Sequence, residues 1–592
     1  MLFALAASLL GPACAGEEPT PSAAGPGESG SQSGGRAAGA GLGGGPANNG
    51  GAPGSNGGGP SSSGGNAIGV AGSAAGGSGA AGGTPVPGPS DIGTKVIHRL
   101  SNVEYDNTVH DLLLTNRKFG PNFVHEEAEG FDNIAQALSM SPRHVEDYFA
   151  AARELSAEAF ADPAQRAKIL TCTPNAADMT CARNIISSFG MRAFRRPLEA
   201  SEQQWLLEAY QSALALGEDP SGAIEHVVHI VLSSPQFLYR IEFDPSLTDS
   251  APHALSGYEL ASRLSYALWS SMPDDALFAL AGSGELSKPE TLRAEVDRML
   301  LLPGAEMLIK NFAAQWLGIN RLAEHAVSPT AYPDWTPAIA SAAEREMELY
   351  FSEFLHKDVP FNQFLTADFN FVDGTLARHY GMTPPAEAGF TRVVDTNDQR
   401  RGLIGLAGFL THTSRETRTS PIIRGTWILS AFMCLTLHLP PDLVVEPLPE
   451  PAEGDAPTTV RDLIATHRAS AACAGCHNAI DPIGLALEHF DAIGRYRSQY
   501  TNGLAIDSAG MLPSGAMVDG LVSLTEELSK SPDFLPCAAN KLNTFALGRT
   551  VMDAATIAQI VQRWTASTPT LRNLIKETVT HATFTSRRPE AP

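Results

Sequence analysis

Residues 473–477 read Cys-Ala-Gly-Cys-His and run directly into Asn-Ala-Ile-Asp-Pro-Ile-Gly at 478–484. Two thiols three positions apart, followed at once by an imidazole, form the attachment pattern of c-type haem. Cys473 and Cys476 can each add to one vinyl group of a single porphyrin, and His477 can then bind the iron as its proximal ligand. The same residue types admit two other readings. Cys473 and Cys476 can close a C-x-x-C disulfide, with His477 incidental. They can also form half of a zinc site completed by His467 or His489. The sequence holds no second C-x-x-C, and no thioredoxin-like β-α-β pattern surrounds this one. One covalent haem c is therefore the leading expectation.

An iron held by His477 has a sixth position to fill. Met511 and Met517 follow the motif in a Gly-rich stretch, and a methionine after the haem helix is how many small cytochromes c complete their iron. Each is also an ordinary loop or core methionine, with Met511 the candidate carried forward. His489 suits a surface or supporting role better than ligation. Arg415, Arg418 and Arg424 cluster in an otherwise acidic chain. They can hold haem propionates or another anion, or simply pair with the many Asp and Glu residues. His226 and His229 stand one helical turn apart but lack a third zinc ligand in sequence, and read as helix-face histidines. No P-loop, dinucleotide fingerprint or G-x-S-x-G elbow is present.

The segments that must position these residues carry mostly helical signals. Ser101 with Glu104, Ser256 with Glu259 and Ser287 with Glu290 have capping-box spacing. Trp205, Leu206, Tyr210 and Leu214 recur at helical intervals. Further helices are expected at about 142–160, 290–301, 304–317, 335–356, 400–411 and 424–436. A Pro- and acid-rich linker runs to Pro457. A helix over about 458–469 is expected to precede a C-x-x-C-H loop. An irregular or β-like patch follows at about 495–520, and then four amphipathic helices between Leu521 and Thr580. Alternation with period two is scarce, so the fold class is mainly α: a multi-module helical body with a C-terminal cytochrome c-like haem-binding region. No repeat of fixed period occurs.

Composition bounds the partners and the compartment. The 592-residue chain has a hydrophobic content of 43% and a formal charge of −23. That charge argues against nucleic acid and against anionic membrane surfaces. Residues 1–14 hold a short apolar run ending at Cys14 and read as an export signal, with Cys14 the lipidation site of a bacterial lipoprotein. Membrane association is then expected only through that anchor. Residues 15–90 are Gly, Ser, Ala, Pro and Asn almost throughout and read as a disordered tether, whose ends would lie roughly 50 Å apart as a coil. Of the seven cysteines, one goes to lipid and two to haem. Four remain for disulfides: Cys172 with Cys181 across a short turn-rich loop, and Cys434 with Cys537 at long range, Cys434 being alternatively a buried thiol.

Five stretches together resemble one family of large exported bacterial proteins, cytochrome c-like and built from consecutive domains of unknown function. They are RLSNVEYDNT at 99–108, RRPL at 195–198 with SPQFLY at 234–239, LASRLSYALW at 260–269, RTSPIIRG at 418–425 with the motif and its sequel at 473–496, and KLNTFALGR at 541–549. The resemblance implies helical modules, export and a haem, but no particular reaction. The module boundaries expected are 91–165, 166–245, 253–390, 397–500 and 515–585. The leading functional expectation is electron transfer to an unidentified redox partner. The alternatives are a haem-dependent oxidoreductase acting with peroxide or oxygen on a small molecule, and an exported binding or scaffold protein whose C-x-x-C is a structural disulfide.

Overall fold

The computed structural model describes residues 97–243, 251–437 apart from 396 and 398, 458–468, 471–549 and 553–588. The expected export signal, Cys14, the expected tether and the Pro-rich linker lie outside the described residues.

The chain is mainly α, with four two-stranded antiparallel ladders among the described residues. Ser101 caps the Asn102–Leu113 helix, its hydroxyl accepting the Glu104 amide while the Glu104 carboxylate accepts the Ser101 amide. The same reciprocal cap opens the Gly257–Trp269 helix through Ser256 and Glu259. Each satisfies two backbone donors that a helix start otherwise leaves unpaired. The third expected cap is absent. Ser287 ends a 3-10 turn, Lys288 occupies the cap position, and the next helix begins at Pro289. Proline fits that first turn because its missing N–H would have had no partner there.

An N-terminal apolar core joins the helices Asn102–Leu113, Pro142–Ala161, Met179–Phe194, Ala200–Ala215 and Pro220–Ser233. Its two ends are sewn together. His98 and Arg99 pair with Arg240 and Tyr239 as a short ladder. Buried Arg195 donates to the carbonyls of Gln236, Phe237 and Tyr239. One guanidinium thus links RRPL to SPQFLY, because its five donors can serve several carbonyls at once.

A second, larger core runs from Phe131 to Phe584, so the apolar interior continues across the module sequence. Its centre is aromatic: Phe361 lies 4.8 Å from Phe364 and stacks on Phe534 at 5.8 Å, and Trp316 stacks on Phe364 at 6.2 Å. Burying one such ring stabilises by roughly 1.5–3 kcal/mol. The chain end closes on the start of this region, with His253 and Ala254 paired to Arg587 and Ser586. The four expected C-terminal helices are present as Gly520–Lys530, Phe534–Leu547, Ala554–Thr565 and Leu571–Val579. The helix expected over 304–317 differs. It is a 3-10 turn, then a π-helical segment Leu308–Ala313, then one α turn to Trp316.

Both expected disulfides are formed: Cys172–Cys181, and Cys434–Cys537 across 103 positions. The second pins the chain just beyond the Pro421–Phe432 helix to the Phe534–Leu547 helix. Among the described residues no helix is long and apolar enough to cross a membrane.

Candidate functional site

The C-x-x-C-H sequence lies on a helix, not in the loop expected before it. The motif helix spans Ala471–Leu485. Gly475 lies inside it and Pro482 near its end, while Ala471, Ala472 and Ala474 favour the helical state. Positions 473, 476 and 477 are related by three and four residues, so helical geometry puts both thiols and the imidazole on one face. Cys473 and Cys476 are half-buried free thiols, unlike the four disulfide cysteines. Cys476 packs against the large apolar core.

His477 is 7% exposed, and its Nδ1 lies 2.8 Å from Oδ1 of Asp481, which is 1% exposed. This aspartate stands four residues on, one turn along the same face. It received no role in the sequence reading, although that spacing was the available signal. Its second oxygen lies 3.5 Å from Arg468, which also donates to Asn478 at 2.7 Å. A carboxylate on Nδ1 fixes the tautomer and presents Nε2 as the ligating nitrogen.

The motif helix is seated by two close crossings with the Pro421–Phe432 helix. A Cβ on Gly484 would fall 1.9 Å from the Pro421 carbonyl oxygen, and one on Gly425 would fall 2.3 Å from that of Ile480. Glycine at both points lets the backbones touch. Arg424, from the same supporting helix, is fully buried and donates to the carbonyls of Leu487, Phe490 and Asp491 just past the motif helix. Glu488, also fully buried, lies 3.7 Å from Arg424 and 2.9 Å from Arg497. Burial pulls the Arg424 guanidinium down to about 10, with Glu488 opposing. Arg424 is thus a scaffold residue spent on backbone carbonyls. The Arg415 amide donates to the Arg418 carbonyl at 2.9 Å.

The other predicted residues sit as follows. Met511 and Met517 face each other across the hairpin of Ala509–Met511 and Met517–Asp519, and are 62% and 65% exposed. The hairpin rests on the motif helix, where a Cβ on Gly510 would fall 2.9 Å from Pro482. His489 lies in a turn, its Nδ1 3.1 Å from the Arg497 carbonyl and its ring stacked on Tyr496. His229 packs on Phe149 at 4.6 Å. The side chain of His467 lies outside the described residues.

Among the described residues no group of three or more His, Cys, Asp or Glu side chains converges to hold a metal ion. The zinc reading calls on His467 or His489; His489 points its Nδ1 at the Arg497 carbonyl, and the side chain of His467 lies outside the described residues. A porphyrin asks for something else: thiols at its edge and an imidazole at its centre. Soft thiols on a half-buried face, beside a buried imidazole held by a carboxylate, fit that group.

Five family models match consecutive stretches of the chain. They are described as protein of unknown function DUF1587 over 98–161, DUF1595 over 181–242, DUF1592 over 255–382, DUF1588 over 400–500 and DUF1585 over 514–584. The chain is built from domains of these families. No curated protein and no solved structure matches it. The DUF1588 stretch holds both crossing helices and with them Cys473, Cys476, His477, Asp481, Arg424 and Glu488. Met517 falls within the DUF1585 stretch, and Met511 falls between the two matches.

Proposed function

We propose that this chain is an exported c-type haem protein that transfers electrons. The observation that carries the reading is the single face on which Cys473, Cys476 and buried His477 stand, with Asp481 bonded to His477. A bound haem would supply one-electron chemistry at its iron. Cys473 and Cys476 would hold it covalently, each S–H adding across one vinyl group so that sulfur bonds one carbon and hydrogen the other. His477 would offer Nε2 to the metal, and Asp481 would keep the proton on Nδ1 and the ring in orientation. Arg468, beside Asp481, would share in holding that carboxylate's charge. The short name of the matching family, PSCyt3, supports the same reading. Two disulfides support export, since such bonds persist in oxidising compartments. Attachment through Cys14 to a membrane belongs to the same proposal.

Protein matured in a host with haem-attachment machinery should show a Soret band and keep its pigment through acid–acetone extraction. Cys473→Ala with Cys476→Ala should abolish both. Colourless wild-type protein from such a host would overturn the reading and leave the scaffold alternative. The exposure of Met511 and Met517 favours a second version, a haem-dependent oxidoreductase with an exchangeable sixth ligand. Rapid CO binding, unchanged in Met511→Ala and Met517→Ala, would select it over a saturated electron carrier.

A further inference from the structure

A cleft of about 810 Å³ opens in the body, and no residue of the motif helix lines it. Its residues come from the DUF1587 and DUF1592 stretches and, through His412, from the DUF1588 stretch. The size is that of a small-molecule site, but such sites are usually apolar. Most residues lining this cleft are polar, with Val103, Pro121 and Leu138 the apolar ones, although about half of the surface they expose is apolar.

The polar groups are held in place. Asp132 accepts from Ser101 Oγ and from Gln315 Nε2, each at 3.0 Å, and its amide donates to Gln315 Oε1 at 2.7 Å. Gln315 also donates to Asn311, which is 2% exposed and donates to Ser270 Oγ at 3.0 Å. Asn311 and its neighbour Lys310 belong to the π-helical segment Leu308–Ala313, a rare geometry that recurs at functional sites.

His412 adds an acceptor. Its Nδ1 lies 3.0 Å from the Gly408 carbonyl, so Nδ1 carries the proton and Nε2 presents its lone pair. Nε2 is buried and has no hydrogen-bond partner, and the same holds for Nε2 of His325. A Cβ on residue 318 would fall 2.7 Å from His412 Nε2, so only glycine fits against that buried nitrogen. Buried acceptors without partners are costly until something donates to them.

We infer that this cleft binds a neutral polyhydroxylated ligand, a short saccharide. An alcohol hydroxyl both donates and accepts, so it pairs equally with imidazole nitrogens, carboxylates, side-chain amides and ammonium groups. Five carboxylates and three Lys or Arg side chains line the cleft, with Arg321 lying 3.5 Å from Glu127. Neither an anion nor a cation finds a one-sign field there. The inference does not depend on haem attachment.

The test is calorimetric titration of the full chain with cellotriose, maltotriose and chitotriose, and with spermidine and citrate as charged controls. At least one trisaccharide should bind. Lys310→Ala and Glu324→Ala are exposed rim substitutions that should leave the melting temperature unchanged and weaken that binding several-fold, and Gln315→Ala in the floor should weaken it at least about tenfold. Absence of binding by all three sugars overturns the inference. So does binding by a charged control alone, or sugar binding untouched by both rim substitutions.

Discussion

In the motif helix, Cys473, Cys476, His477 and Asp481 lie within residues 473–481 of one element. In the cleft, Asp132, Asn311, Gln315 and His412 come from distant parts of the chain and meet only because the modules pack. The first arrangement takes its internal geometry from the helix, since residues three and four apart are neighbours on any α-helix. What tertiary structure adds there is a seat. The second has no geometry of its own until the large core forms. The motif should therefore be damaged most by changes that unseat its helix, and the cleft by changes in solvation or packing of single groups.

The largest expected effect concerns the seat. The Cys434–Cys537 bridge ties the end of the supporting helix to the C-terminal helices across 103 positions, while Cys172–Cys181 closes a loop of sequence separation 9. Loop-closure entropy makes the long bridge worth about 4–5 kcal/mol and the short one about 2–3 kcal/mol. Paired Cys→Ala substitutions, compared by chemical denaturation, should show that order. Equal losses would mean the long loop is already constrained in the unfolded chain.

Next is the crossing itself. Gly484→Ala would drive a methyl group into the Pro421 carbonyl, with backbone on both sides and no flexible side chain to yield. A loss of about 3 kcal/mol is expected from overpacking of this kind, together with reduced pigment retention in protein matured with haem. A variant as stable as wild type would show that the two helices are not in contact there.

The difference between the two regions also explains what the sequence could convey. C-x-x-C-H is contiguous, and capping boxes at Ser101 and Ser256 are local devices, so spacing alone revealed them. The Ser287 box failed because Pro289 and the preceding 3-10 turn competed for the same positions. The motif lies on a helix rather than in the expected loop: cysteine, glycine and histidine are poor helix formers, and packing against the supporting helix outweighs that tendency. Asp481 was legible by its spacing from His477. His412 was not: nothing in its neighbours announces that Gly408 fixes its tautomer or that Gly318 packs against its buried Nε2. The Ser101 cap was visible, but its bond to Asp132, and through it to Gln315, exists only in the folded chain.

The cleft should respond to pH through His412. Burial, reinforced by His325 and Arg321, brings its imidazole from 6.5 down to about 4. A depressed basic group is bound to fewer protons in the folded state than in the unfolded state, so stability rises with pH in the interval between the two values. The contribution is complete above about pH 6.5 and is lost as pH falls through about 4. Partial solvent access keeps it to about 1–3 kcal/mol. His412→Gln should flatten that part of the stability profile relative to wild type, while buried His379, also lowered to about 4, continues to contribute in both. An unchanged slope would place a solvated, ordinary imidazole at the cleft wall.

The smallest effect returns to the motif helix and has the opposite sign. Gly475 lies between the two thiols, is exposed, and a Cβ there would meet nothing within 4 Å. It therefore serves no crossing, in contrast to Gly484 on the same helix. Its glycine costs backbone entropy that alanine would not, so Gly475→Ala should stabilise by about 0.5–1 kcal/mol. The substitution leaves Cys473, Cys476, His477 and their spacing intact, so the haem spectrum should be unchanged and attachment as complete as in wild type. If stability falls instead, position 475 is not helical in the mature protein. If stability rises but attachment fails, the interval between the thiols must flex for the porphyrin to enter, and the face seen on the finished helix is not the conformation on which the two thioether bonds are made.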